Sequence, residues 1–434
     1  MVAFSPEERA ALASLVTLGD TPAICRRAQL LLLYEEGLPT REVAARVGLS
    51  RGRERHWRRL FQIKGMEIFP SAHTSAVGEE ATISLPPLAD ENQPSPPLPP
   101  LLEEAPKGEE SLDFLFSLQS PGVTPTDSLA EAGRKVLRFQ FAQMLRHEKG
   151  TKLGEDIEAL HDMRVATRRM RAACEVFADA FKPKPLNNHL KGVRTTGRAL
   201  GRVRDLDVFM DKARQYLQTL PIERQGELSP LLEAWQSERQ AAREEMLAHL
   251  GSEQYQTFKA KFLDFLTTPG AGAKKRQAFP PIPQTVAQVA PILIYTRLAA
   301  ARAFAPLLHT ASLEQLHALR IEFKKLRYAL EFFREVLGGE AKEIINEIKT
   351  LQDHLGDLND AKVACQLLRQ FLEEWDLQQA NRPVDERQSP QPLLDYLSFQ
   401  HAERHRLMIT FQTAWQRFDC AELRQKLAAA VAML

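Results

Sequence analysis

The sequence predicts an all-α protein whose larger part is a duplicated helical domain. No stretch alternates apolar and polar residues with the period of two that a half-buried strand requires. After Asp127, apolar residues instead recur at helical spacing over long segments. One pattern also occurs twice: Leu160-His161-Asp162-Met163-Arg164-Val165-Ala166-Thr167-Arg168-Arg169-Met170-Arg171 returns as Leu316-His317-Ala318-Leu319-Arg320-Ile321-Glu322-Phe323-Lys324-Lys325-Leu326-Arg327. A second pair follows the copies in the same order, Val203-Arg204-Asp205-Leu206-Asp207 and Leu355-Gly356-Asp357-Leu358-Asn359-Asp360.

Residues 1–68 read as a small domain of short helices. Ser5-Pro6-Glu7-Glu8 is a capped start with proline at the first helical position, and Thr21-Pro22 opens another helix that Gly37 ends. Thr40 to Val47 forms a third helix, Gly48-Leu49-Ser50 a turn, and Arg51 to Lys64 a longer basic helix. The layout resembles a helix-turn-helix of the transposase-like and regulator kind, with Arg51, Arg53, Arg55 and Arg58 placed for DNA phosphates and guanine edges. Such folds also serve as protein–protein modules.

From Phe69 to Thr126 the composition turns to proline and glutamate, with Pro86-Pro87, Pro96-Pro97, Pro99-Pro100, Glu79-Glu80 and Glu103-Glu104. This predicts an extended linker, stiffened by proline and stretched by carboxylate repulsion, in which only the apolar patch Leu112 to Leu118 is suited to docking. The duplicated domain then spans 127–420, as halves of about 127–268 and 284–420 around the break Thr268-Pro269-Gly270-Ala271-Gly272 to Pro283. Lys182-Pro183-Lys184-Pro185 and Pro221 punctuate the first half.

Composition bounds the partners. The chain has 434 residues, 44% of them hydrophobic, enough to bury a sizeable core. Its 57 basic and 56 acidic residues nearly cancel, so affinity for an anion must come from local segregation of charge. Cys25, Cys174, Cys365 and Cys420 stand far apart, forming neither a zinc pattern nor a disulfide framework, which fits a reducing cytoplasm. The early acidic turn at Glu7-Glu8 and the shortness of the apolar runs argue against export and membrane insertion.

Helical geometry sorts the repeated motif by face. At about 100° per residue, His161, Arg164, Arg168 and Arg171 share one side, opposite Met163, Ala166, Met170, Ala173 and Phe177. In the second copy His317, Arg320, Lys324 and Arg327 oppose Leu319, Leu326, Ala329 and Phe333. Solvated faces mix signs at i, i+4, whereas these cations have mainly one another, each like-charge pair costing roughly 0.2–0.5 kcal/mol. An anion would compensate both copies. Arginine donates a planar fork to phosphate, lysine a point charge, and histidine ring N–H donors. The following helix adds Lys191, Arg194, Arg198 and Arg202, and the opening helix Arg134 and Arg138. The second half offers Arg297, Lys342, Lys349 and His354 more sparsely, so the expected basic groove is richer in the first half.

On these four motifs in order, residues 127–420 resemble the CHAD family, the conserved histidine α-helical domain. The resemblance implies two four-helix units related by pseudo-symmetry, a basic central surface, and binding of inorganic polyphosphate, often at polyphosphate granules. Its contacts would be His161, Arg164, Arg168, Arg169 and Arg171, with His317, Arg320, Lys324, Lys325 and Arg327. The triphosphatase-like domain often joined to this family would need strands of alternating acidic and basic residues, which the sequence lacks.

The expected function is therefore non-catalytic polyphosphate binding without cofactor, coupled to DNA through residues 1–68. The alternatives are a metal-dependent polyphosphate or triphosphate hydrolase and a nucleic-acid-binding regulator. His161-Asp162 has the look of a metal-phosphohydrolase pair, but the counterpart of Asp162 is Ala318. Asp205 and Asp207, or Asp357 and Asp360, would suit Mg²⁺, yet aspartates beside arginines or at helix ends more often cap or form ion pairs.

Overall fold

A computed structural model describes residues 5–18, 22–35, 40–47, 61, 114–154, 156–275 and 282–434. The chain divides into two units, Met1–Pro99 and Pro100–Leu434.

In the first unit α1 (Pro6–Leu18), α2 (Pro22–Glu35) and α3 (Thr40–Val47) follow the breaks read from proline and threonine. Ser5 and Glu8 cap α1 reciprocally, each backbone N–H donating to the other's side chain at 2.9 and 3.1 Å. Leu12, Leu30, Leu31, Val43, Val47 and Phe61 are buried together. Arg51, Arg53, Arg55 and Arg58 lie outside the described residues.

The second unit is all helix among its described residues. Its first half holds α4 (Leu129–Leu153), α5 (Ile157–Val176), α6 (Pro183–Leu217) and α7 (Ser229–Gly251), closed by the shorter α8 (Glu253–Thr267). The second half repeats the order with α9 (Val286–Arg302), α10 (Leu313–Phe332), α11 (Ala341–Ala380) and α12 (Gln391–Phe418), closed by α13 (Ala421–Val431). Leu423, Leu427 and Ala430 of α13 join the main core, so the second half runs past residue 420 to the end of that helix.

The faces read from sequence are the buried ones: Met163, Met170, Ala173 and Phe177 on and just after α5 are fully buried, as are Leu319, Leu326 and Phe333 on and just after α10. Phe177 meets Phe332 and Phe333 at ring centroid distances of 6.0 and 5.6 Å, so the halves share one core. A second core, with Tyr216, Trp235, Trp375 and Tyr396, joins the far ends of α6, α7, α11 and α12.

At the end of the 69–126 linker the described residues pack onto the domain. Leu115 and Val123 are buried in the main core, and the Val123 N–H donates to Glu335 at 2.6 Å. Burial of Leu115 and Val123, the Glu335 hydrogen bonds to the N–H groups of Gly122 and Val123, and the Arg146 contact to the Leu118 carbonyl together offset the entropy of ordering this segment. No helix among the described residues is long and apolar enough to cross a membrane.

Candidate functional site

Capping sets the register of the two motif helices. Asp156 accepts from the Glu158 N–H at 2.9 Å at the start of α5. Ser312 and Gln315 form a capping box on α10. With their apolar faces locked in the core, both helices turn their cationic faces outward. α5 and α10 pack against each other, and with α9 they enclose a cleft of about 540 Å³.

Arg168, Arg171 and Glu175 line this cleft from α5, Arg297 from α9, and His317, Arg320, Lys324, Lys325 and Tyr328 from α10. Many cations therefore face a single carboxylate. The Nε atoms of Arg168 and Arg320 are buried with no acceptor among the described residues. Burial, reinforced by Arg171, Arg168 and Arg320 against the opposing pull of Glu175, brings the Lys324 ammonium down to about 8. Each of these features is a local deficit of negative charge.

Neighbouring groups fix the rim. His317 Nδ1 lies 3.0 Å from Asn359 Oδ1, which selects the Nδ1–H form and leaves Nε2 for another partner. Lys325 pairs with Glu322 at 2.6 Å, so the glutamate that departs from the repeat neutralises one cation. Arg164 does not line the cleft and donates instead to Asp205 at 2.7 Å. Burial holds the Arg164 guanidinium below its ordinary range despite Asp205, and lifts the Asp205 carboxyl despite Arg164.

Several residues expected at the site lie elsewhere. Arg134 is 2% exposed and donates to the carbonyls of Thr268 and Ala271 at 3.0 and 3.2 Å, so it clamps the loop after α8. Arg138 sits 5.4 Å from the Phe114 ring centroid, beneath the docked patch. Arg327 is buried, and it brackets Glu331 with Arg169 at 3.5 and 3.4 Å. His354 Nε2 donates to the Leu407 carbonyl at 2.7 Å and packs on Phe411, which makes it a core histidine. Arg194, Arg198 and Arg202 are exposed on α6 away from the cleft, Arg202 pairing with Glu245. Lys342 and Lys349 are exposed on α11 and outside it too. Lys191 borders another cavity. His161 is half-buried on α5 and does not line the cleft.

Two polar lining residues went unread in the sequence. Glu175 continues the face of Arg168 and Arg171 by one turn, so extending the helical wheel finds it. Tyr328 offers no such signal. It is 1% exposed, stacks on Phe332 at 5.6 Å, and its hydroxyl is buried without a partner among the described residues.

The acidic motifs are engaged by cations: Asp207 by Arg239 at 2.5 Å, and Asp360 and Asp357 by Lys212 at 3.1 and 3.4 Å. Among the described residues no group of three or more His, Cys, Asp or Glu side chains is placed to hold a metal ion.

A family model described as CHAD domain matches residues 135–369. The chain belongs to the CHAD family. The matched stretch of this CHAD domain holds all four sequence motifs and the three helices α5, α9 and α10 of the cleft. Residues 21–68 match a model described as homeodomain-like domain. Similar solved structures include the crystal structure of the CHAD domain from the plant Ricinus communis, 23% identical, with a TM-score of 0.49, covering 71% of this chain and 94% of that one. PptA from Streptomyces chartreusis is 19% identical with a TM-score of 0.48, covering 68% of this chain and all of its own. No curated protein matches the chain.

Proposed function

We propose that the CHAD domain binds inorganic polyphosphate in the cleft between α5 and α10, without catalysing a reaction on it. The observation that carries this reading is the convergence of two repeated cationic faces, with buried Arg168 and Arg320 Nε donors, on one cleft that contains a single carboxylate. A buried donor without an acceptor costs roughly 1–3 kcal/mol, and phosphate oxygens would remove that cost while relieving the mutual repulsion of the guanidinium groups. A polyanion supplies closely spaced charges that a single carboxylate ligand cannot.

The proposal extends to residues 1–68, whose homeodomain-like match supports DNA binding in the same chain. The protein would then tether polyphosphate granules to DNA in the cytoplasm.

The test is titration of the full chain with long-chain polyphosphate over a range of salt, with duplex DNA as competitor and phosphate release followed with and without divalent metal. The expected result is affinity that falls steeply with salt and rises with chain length, with no release of phosphate. Salt-insensitive binding, or ready displacement of polyphosphate by DNA, would overturn the polyphosphate reading. Metal-dependent phosphate release would replace it with the hydrolase.

A further inference from the structure

Lys191, read from sequence as part of the basic groove, borders a separate cavity between α6 and α8. Two adjoining hollows of about 210 and 480 Å³ share Asn188, His189 and Lys261, so they form one continuous groove. Lys191 stands on the wall of the first and Lys184 on the wall of the second.

His189 is the centre of this groove. Its ring lies 5.2 and 4.6 Å from the ring centroids of Phe262 and Phe265, which fix its plane. It lines both hollows, and among the described residues its ring nitrogens have no hydrogen-bond partner. Among the described residues none of Lys184, Lys191 and Lys261 is in an ion pair, whereas Lys259 on α8 pairs with Glu148. The charged group opposing them is Asp264, at the far hollow. The other ionisable groups on its wall are His249, held at 3.1 Å from the Thr196 hydroxyl, and Tyr255, whose hydroxyl donates to Glu148 at 3.0 Å.

We infer that this groove is a second oxyanion site, in which His189, Lys191 and Lys261 receive a phosphoryl group. The chemistry is that of a ring N–H donor set in an aromatic slot with ammonium groups on either side, and the Asn188 amide at hand. Burial holds the His189 imidazole below its ordinary range, with Asp264 opposing. A bound phosphoryl group would reverse this and favour the protonated ring. The group has two available sources, a small phosphate compound or a stretch of the same polyphosphate that occupies the α5–α10 cleft. The inference stands independently of the cleft reading.

The experiment follows the histidine side-chain resonances of the full chain between about pH 5 and 8, with and without tripolyphosphate and then long-chain polyphosphate. H189N assigns the signal. The comparison uses wild type, a Lys191→Ala/Lys261→Ala variant and an Arg168→Ala/Lys324→Ala cleft variant. Both lysines are exposed, so their replacement leaves the fold intact. Tripolyphosphate should raise the His189 midpoint in the wild type and the cleft variant, and bind the lysine variant's groove roughly tenfold more weakly, as loss of two exposed charge contacts requires. A His189 response only to long-chain polyphosphate, and only with the cleft intact, would assign the site to one chain running between both. A His189 midpoint unmoved by either probe, or moved equally in the lysine variant, would overturn the inference. Unchanged long-chain affinity in the cleft variant, with a normal His189 response, would sink the cleft reading alone.

Discussion

α5 and α10 carry nearly the same cationic face, yet the two copies do different work. Arg164, Arg168, Arg171 and Glu175 correspond in order to Arg320, Lys324, Arg327 and Glu331. In the first copy Arg171 and Glu175 are exposed at the cleft. In the second Arg327 is buried and Glu331 lies between it and Arg169, holding α5 and α10 together. Here the carboxylate of the second copy supplies the joint, whereas that of the first faces the cleft. The lesson is that charge pattern nominates residues, and packing decides which of them stay available.

The largest effect expected separates a structural cation from a binding one. Arg134→Ala strands the carbonyls of Thr268 and Ala271 and should lower unfolding free energy by about 3 kcal/mol in denaturant titration. Polyphosphate affinity at temperatures where the variant is folded should not change. The paired replacement Arg168→Ala with Arg320→Ala should do the reverse, since each residue lines the open cleft. Loss of two charge-assisted contacts predicts roughly a hundredfold weaker binding and a shallower dependence of log affinity on log salt, with the melting temperature nearly kept. If Arg134→Ala weakened binding while leaving stability alone, the division drawn between the two classes would be wrong.

The equivalent glutamates sharpen the contrast between copies. Glu331→Gln leaves Arg169 and Arg327 without their carboxylate and should destabilise by about 2 kcal/mol. Glu175→Gln removes the carboxylate from the cleft, so stability should hold while anion affinity rises roughly threefold. Calorimetric melting and isothermal titration of both variants read the two effects side by side. Equal behaviour of the pair would show that the joint and the cleft are not distinct.

Much of this was legible before the fold. Period-3.6 patterning gave the buried faces of both motif helices correctly because burial of Met163, Met170, Leu319 and Leu326 is a local, additive preference. Proline and capping residues marked the starts of α1, α2, α3 and α6. Family membership followed from the order of four motifs. What the sequence concealed depends on contacts between distant segments. Nothing near Arg134 announces that the chain returns at Thr268 to meet it, and nothing near Ala172 and Tyr328 says that corresponding positions will line one cleft with different side chains. Lys191 and Arg168 look alike in sequence, but α6 turns the first toward α8 and α5 turns the second toward α10.

A further expected effect concerns pH, and it isolates Lys324 from its arginine neighbours. Burial and the surrounding cations bring its ammonium down to about 8, well below the lysine range of the unfolded chain. The sign is fixed by proton counting. Below about 8 the folded ligand-free protein carries a disfavoured charge, and as pH rises above that value the folded state loses the proton before the unfolded state does. The contribution of Lys324 to stability therefore improves with rising pH between about 8 and the ordinary lysine range. Polyphosphate affinity should move the opposite way, because an anion needs the charged form and takes up a proton where Lys324 is neutral. Between pH 7 and 9 the affinity of the wild type should fall by up to roughly tenfold, the ratio set by a midpoint of about 8. Lys324→Arg keeps the charge throughout, so its affinity should be flat over the same interval. A wild type as flat as Lys324→Arg in isothermal titration would mean that Lys324 does not meet the anion, and would leave the cleft to Arg168, Arg171 and Arg320.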